Sequence, residues 1–401
     1  MDSLRVLLDK GVKIPNPESV EIGDDIDVDR ISGDGVTIYS GCKLYGRETF
    51  IGDGAAIGFE GPATIKNCYL GPSVALNGGF FEKAAFLEKS SCGLGSHVRQ
   101  GTILEEEANI AHTVGLKQTI LFPYVTLGSL INFCDCLMAG GTSRKNHSEV
   151  GSSYIHFNYT PNQDKATASL IGEVTKGVML NQSPIFLGGQ GGLVGPCRIA
   201  YGTIVAAGCI CRKDQMREGN LVMEGGPRTA RIPFKPGGYR NLKRVLDHNY
   251  HYIGHLLALW QWYEGVRELF IGPGFPRPLA DGLKKTLKLG IDERIRQLGR
   301  LRDKVEESVS TNKPEGLEHR FCAQWDLISG TLTDLQAYQG SQDLKEQFAR
   351  VVEKRIQRNG KNYTRCIKSM EADQTKIGTL WLQSIVDHVA DQVALIMNPK
   401  Q

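Results

Sequence analysis

Between Gly95 and Leu130, apolar residues return about every six positions, at Val98, Ile103, Ile110, Val114, Leu116, Ile120, Val125 and Leu130. A helix face repeats every 3.6 residues and a strand every two, so neither explains the beat. A six-residue beat of branched side chains suits a parallel β-helix, in which three short strands make one coil. With three strands of six, a coil takes about 18 residues, which stacks Arg99 against Lys117 on neighbouring turns. Their backbones then lie roughly 4.8 Å apart, the spacing of paired strands.

The beat maps onto the whole chain. Residues 1–18 read as an N-terminal helix (Leu4 to Leu8) and a lead-in held extended by Ile14-Pro15-Asn16-Pro17. Residues 19–214 read as the β-helix, about ten coils long at this period. The pattern weakens from Asn77 to Ser91, where a distorted coil or loop is expected. Two polar stretches, 140–149 and 160–169, read as loops leaving the coils at a corner, the usual place for binding groups. Residues 215–240 carry Gly225-Gly226-Pro227, Pro233, Pro236 and Gly237-Gly238 and read as a linker. From 241 to 401 the apolar spacing becomes three and four, predicting an antiparallel bundle of four to six helices. Its breaks are expected at Gly272–Pro278, Asn312–Gly316 and Gly340-Ser341.

Charge and cysteine usage narrow the function classes. A net charge of +3 over 401 residues gives no basic surface for nucleic acid and no anchor for a membrane. No apolar run is long enough to span a bilayer, and the start, MDSLRVLLDK, does not read as a secretion signal. The ten cysteines include the pairs Cys134/Cys136 and Cys209/Cys211 but no CxxC, so reduced core thiols, a cytoplasmic location and no metal site are expected.

Four segments carry a resemblance: LLDKGVKIPNPESVEIG, VRQGTILEEEANIAHTVGLKQTIL, FNYTPNQDKATASLIGE and FLGGQGGLVGPCRIAYGTIVAAGCICRKD. They are similar to the C-terminal acetyltransferase domain of the bifunctional pyrophosphorylase/N-acetyltransferases that make UDP-N-acetylglucosamine. That domain is a left-handed parallel β-helix of the hexapeptide-repeat acyltransferase superfamily. The resemblance runs from about Leu8 to Asp214. It does not include the family's nucleotidyltransferase part, so no pyrophosphorylase chemistry is expected of these residues. It implies a homotrimer, acetyl-CoA as co-substrate, and a sugar phosphate or nucleotide-sugar as acceptor.

Carried over position by position, Arg99 and Lys117 match the two cations that hold the sugar phosphate. Asn158 and Tyr159 match the pair near the acetyl group and sugar. Lys165 matches the loop lysine that reaches the phosphate, in a loop about two residues longer than the family's. Gly189 and Ala207 match the backbone positions facing the coenzyme. The chain departs from the family where a histidine takes the amine proton: that position is Ser129. The acceptor-binding tyrosine is Asn132, and an asparagine is Glu149. His147, beside Glu149, and His156, two residues before Asn158, are the candidate replacement bases; His112 reads as structural. Two functions stay open: a coenzyme A-dependent acyltransferase, or a non-catalytic sugar-phosphate-binding scaffold that has lost the catalytic histidine.

Overall fold

The computed structural model describes residues 3–224, 231, 239, 241–308 and 316–398. Most of the expected linker, and the expected break at 312–316 save for Gly316, lie outside the described residues. After helix α1 (Ser3–Asp9) the chain winds into a parallel β-solenoid of about eleven turns with three faces.

Face one is a ladder of ten two-residue strands from Thr37–Ile38 to Leu221–Val222. Its register steps from Thr37 to Ala56, Ala75, Ser91, Asn109 and Thr126, so the turn varies by a few residues around the expected length. Face two carries Ser96–Val98, the first half of Gly115–Leu121, and the first half of Asn132–Met138. Face three carries Ala84–Phe86, Thr102–Leu104 and the second halves of those two long strands. The inward positions are branched or aromatic: Val98, Ile103, Ile110, Val114, Leu116, Ile120 and Val125 are all buried. Each such side chain contributes about 1.5–3 kcal/mol when taken from water.

Corners explain why the beat is six rather than two. At the edge between faces one and two, Gly95, Thr113, Leu130, Ser153, Gln190 and Gly208 all hold positive φ. One left-handed residue turns the chain, and its N–H donates to the neighbouring turn, as Leu130 N–H does to the His112 carbonyl. Leu130, expected to point inward, is therefore a corner residue and exposed; Ile131 and Phe133 fill the core instead. The stretch Asn77–Ser91, expected to be distorted, is regular, with strands Gly79–Glu82 and Ala84–Phe86 in register with both neighbouring turns. Two of its three aromatic residues, Phe81 and Phe86, are buried and meet edge to face with ring centres 5.8 Å apart. Inward bulk there replaces the branched beat.

The first polar excursion is a hairpin, Gly141–Ser143 against Asn146–His147. The second is the loop after Ile155–Phe157, closed by Asp164, which accepts from Thr160 Oγ1 at 2.8 Å and from the Ala166 N–H at 2.9 Å. A third, absent from the sequence reading, holds helix α2 (Val174–Gly177) between faces three and one.

The C-terminal region contains α3 (Leu242–Gly265), α4 (Arg277–Ser308), α5 (Leu317–Ala323), α6 (Trp325–Asp334), α7 (Gln342–Asn359), α8 (Tyr363–Lys368) and α9 (Ala372–Met397). The expected third stripe is two short helices, α5 and α6, and α8 is a turn of helix that apolar spacing did not mark. Gly254 of α3 sits against Val386 of α9, where an added Cβ would meet Val386 Cα at 3.3 Å.

These helices do not stand apart from the solenoid. Gly282 of α4 presses on the Tyr69 ring so closely that a Cβ there would lie 2.1 Å from it. Buried polar pairs fasten the two halves: Tyr263 donates to Glu105 and Arg267 to Glu106, each at 2.5 Å. The Arg267 guanidinium also lies 3.8 Å from the Tyr363 ring centre. Face three is thus covered along these turns.

Candidate functional site

Arg99 and Lys117 follow Val98 and Leu116, which pair on neighbouring turns of face two, and the Arg99 N–H donates to the Leu116 carbonyl at 2.9 Å. Lys117 pairs in turn with Cys134. The three residues form one outward column, and the Arg99 guanidinium reaches past the lysine to within 3.7 Å of Cys134 Sγ. Burial raises the Cys134 thiol pKa, the Asp135 charge adds to that, and the two cations offset it. Arg99 is exposed and Lys117 half-buried, so the pair is open to an anionic ligand. Arginine offers a planar fork and lysine a point charge, a suitable pair for a phosphate.

The next column along the coil is anchored from the helices. Asn158 Nδ2 donates to Asp135 Oδ2 at 2.5 Å, and Arg294 of α4 holds Asp135 Oδ1 at 2.5 Å. Asp135 and Arg294 are both almost fully buried. Asn158 therefore stands at the turn adjoining the cation column, with its amide fixed. Tyr159 is 66% exposed, and Lys165 is exposed in a left-handed conformation at φ 58°. The loop carrying both is tied to the helical half by Tyr239, whose hydroxyl donates to Asp164 at 2.9 Å, and by Asn249, which donates to the Ala166 carbonyl at 2.9 Å.

Gly189 and Ala207 fall at the opposite edge of face two. The ladder Leu127, Val150, Leu187, Val205 on face one puts Ser129, Ser152, Gly189 and Ala207 in one column two residues on. The column is built of small residues, and Ala207 is exposed. Among the described residues, neither the Gly189 nor the Ala207 N–H donates to another backbone carbonyl.

The histidines separate sharply. His156 lies inside the solenoid, 2% exposed, with Nδ1 2.6 Å from the Cys134 carbonyl and Nε2 2.7 Å from Ser169 Oγ. Burial lowers its pKa to about 4. Both ring nitrogens are engaged there, so its surroundings are those of a structural histidine. His147 sits in the hairpin, Nδ1 2.9 Å from the Arg144 carbonyl and Nε2 3.6 Å from Glu149. Arg144 anchors that hairpin on the Tyr124 carbonyl at 2.7 Å, at the edge between faces three and one. His147 is therefore on a different edge from Arg99 and Lys117.

His112, read from sequence as structural, is exposed, and its Nδ1 lies 2.9 Å from Ser129 Oγ. The pair spans neighbouring turns at the edge shared with Gly189 and Ala207. The sequence signal was available: His112 precedes Ser129 by one coil, the step that also relates Leu116 to Phe133.

A parallel solenoid with this column of cations and this small-residue edge fits a hexapeptide-repeat acyltransferase domain. Over 220 residues the chain is 27% identical to Bifunctional protein GlmU of Oleidesulfovibrio alaskensis, covering 55% of this chain and 42% of that protein. It is 25% identical over 215 residues to the protein of that name from Thermotoga petrophila, covering 53% of this chain and 42% of that one. The protein of that name from Nitratidesulfovibrio vulgaris is 26% identical over 235 residues, covering 57% of this chain and 45% of that one. The chain thus spans less than half the length of the curated relatives it matches. No family model matches it. The likeness supports a sugar-nucleotide-related acetyltransferase family. No described helix is long and apolar enough to cross a membrane.

Proposed function

We propose that the solenoid is a coenzyme A-dependent acyltransferase whose acceptor is the amine of a sugar phosphate or nucleotide-sugar. Arg99 and Lys117, with Lys165 from the loop, hold the phosphate. Asn158 and Tyr159 position the acyl carbonyl and the sugar. The donor lies along the small-residue edge, where the Gly189 and Ala207 amides are available to acetyl-CoA. The amine attacks the thioester carbonyl, the C–S bond breaks, and the coenzyme leaves as a thiol. The amine proton passes through the Ser129 hydroxyl to His112 and from there to the leaving sulfur, so that a two-residue relay replaces the family's histidine.

The observation that carries this reading is the His112–Ser129 contact, at the edge of face two opposite the two cations. His112 and Lys117 are five residues apart with the Thr113 corner between them, so their backbones lie roughly 16 Å apart at most, which suits an acceptor with a phosphate at one end and an amine at the other. His147 serves such a site only from a neighbouring copy. A homotrimer is part of the proposal: Phe186, Ile204 and Leu221 stack as an exposed apolar ridge on face one, the kind of surface a second chain covers. The ten cysteines are all free thiols, which goes with a reducing, cytoplasmic location.

The test is release of free thiol from acetyl-CoA in the presence of a panel of amino-sugar phosphates. Turnover is expected, with Ser129→Ala and His112→Ala each lowering kcat by about 10²–10⁴. Ser129 at the family's histidine position favours the scaffold as a second reading. Saturable sugar-phosphate binding with no thiol release would establish that reading instead.

A further inference from the structure

Helix α3 carries the pattern His248-x2-His251-x3-His255. His251 and His255 are four apart and share a helix face. That face meets the third excursion of the solenoid, where Glu173 caps α2. The Nε2 atoms of His251 and His255 lie 3.0 Å apart, and one ligand atom from each histidine and from Glu173 falls within 4.8 Å of the others.

We propose that Glu173, His251 and His255 bind a first-row divalent transition ion of the zinc class at the seam between the solenoid and the helices. Two nitrogens each about 2.0–2.1 Å from one ion, at angles between square and tetrahedral, stand about 2.9–3.4 Å apart. The observed separation lies in that window. Two imidazoles and one carboxylate form a recurrent donor set for such ions, leaving further positions for water. Glu173 already accepts from Arg198 at 3.1 Å and lies 3.8 Å from Lys176, but a carboxylate has lone pairs for an ion besides.

Cavities flank two of the three ligands. His251 lines a cavity with Arg198, Tyr250 and Met397, and Glu173 lines another with Lys176 and Tyr201. His248 is not part of the set, because its Nε2 is held by Asp214 at 2.9 Å. An ion here would join the solenoid to α3 and so fix the helices on the face they cover. The competing explanation of the 3.0 Å contact is a hydrogen bond between two neutral imidazoles.

Retention of Zn2+ by the full chain decides between them. The protein is stripped with a chelator, incubated with excess Zn2+, gel-filtered, and assayed for metal per chain by mass spectrometry. One equivalent is expected in the parent and in His248→Ala. That equivalent is lost in the double variant His251→Ala/His255→Ala and weakened at least tenfold in Glu173→Gln, whose circular dichroism confirms folding. Zn2+ also raises the thermal midpoint of the parent and not that of the double variant. No retained Zn2+ in the parent, or equal retention by the double variant, overturns the site and leaves the hydrogen bond as the explanation.

Discussion

Replacing Arg294 by alanine tests how firmly the helices set the solenoid's site. The Arg294 and Asp135 side chains are 3% and 6% exposed, and the guanidinium is 2.5 Å from the carboxylate. Removing it leaves the Asp135 charge in the interior with Asn158 on its other oxygen. Breaking a buried pair by deleting one partner costs about 3–5 kcal/mol, a large share of a stability of about 5–15 kcal/mol. The pair is not itself a large net gain, since Arg294 Nη1 has no hydrogen-bond partner among the described residues. Deleting both charges at constant volume, as Arg294→Met with Asp135→Asn, should therefore recover most of the loss, to within about 1–2 kcal/mol of the parent. Urea midpoints read the three proteins, with an unchanged slope confirming that stability rather than compactness moved. Asn158 remains in the double variant, so its sugar-phosphate affinity also reports whether an anchored carboxylate is needed. An Arg294→Ala loss below about 1 kcal/mol, or a double variant as weak as the single, would refute the reasoning.

Glu105 gives a pH dependence. Burial and the neighbouring Glu106 raise its pKa from 4.5 to about 7. The folded state then holds a proton that the unfolded state has released, so its contribution is full below pH 4.5 and is lost as pH rises through about 7. That contribution is about 3 kcal/mol, and Glu105→Gln should remove this pH dependence in melts between pH 5 and 8. Leu116→Ala, at a fully buried position next to Lys117, should cost about 2–5 kcal/mol by urea titration. If the proposed homotrimer forms, Ile204→Glu, in the middle of the exposed ridge, should lower the mass read by light scattering while leaving circular dichroism unchanged.

How much of this was legible in the sequence follows from what the sequence encodes directly. The six-residue beat gives the solenoid because each inward branched residue stacks on its counterpart one turn away, and the Arg99–Lys117 column follows from the same register. The Asn77–Ser91 coil was hidden because Phe81 and Phe86 fill its core, so bulk replaced period. Leu130 misled because a corner needs a left-handed backbone, and an exposed leucine there looks apolar in a pattern. The cover on face three was not visible at all. It rests on Tyr263, Arg267 and Arg294, which are polar or amphipathic residues on helices, paired with Glu105, Glu106 and Asp135 more than a hundred positions away. His156 looked available because strand alternation placed it with Asn158; its ring is instead buried between the Cys134 carbonyl and Ser169.

In the proposed function, face two of the solenoid holds a sugar phosphate on stacked Arg99 and Lys117. Calorimetric titration of an amino-sugar phosphate into the parent, Arg99→Gln and Lys117→Gln measures it most directly. The account predicts saturable binding at one site per chain, weakened at least tenfold by either substitution and reduced by added salt. Equal affinity in all three proteins, or none in the parent, would contradict it.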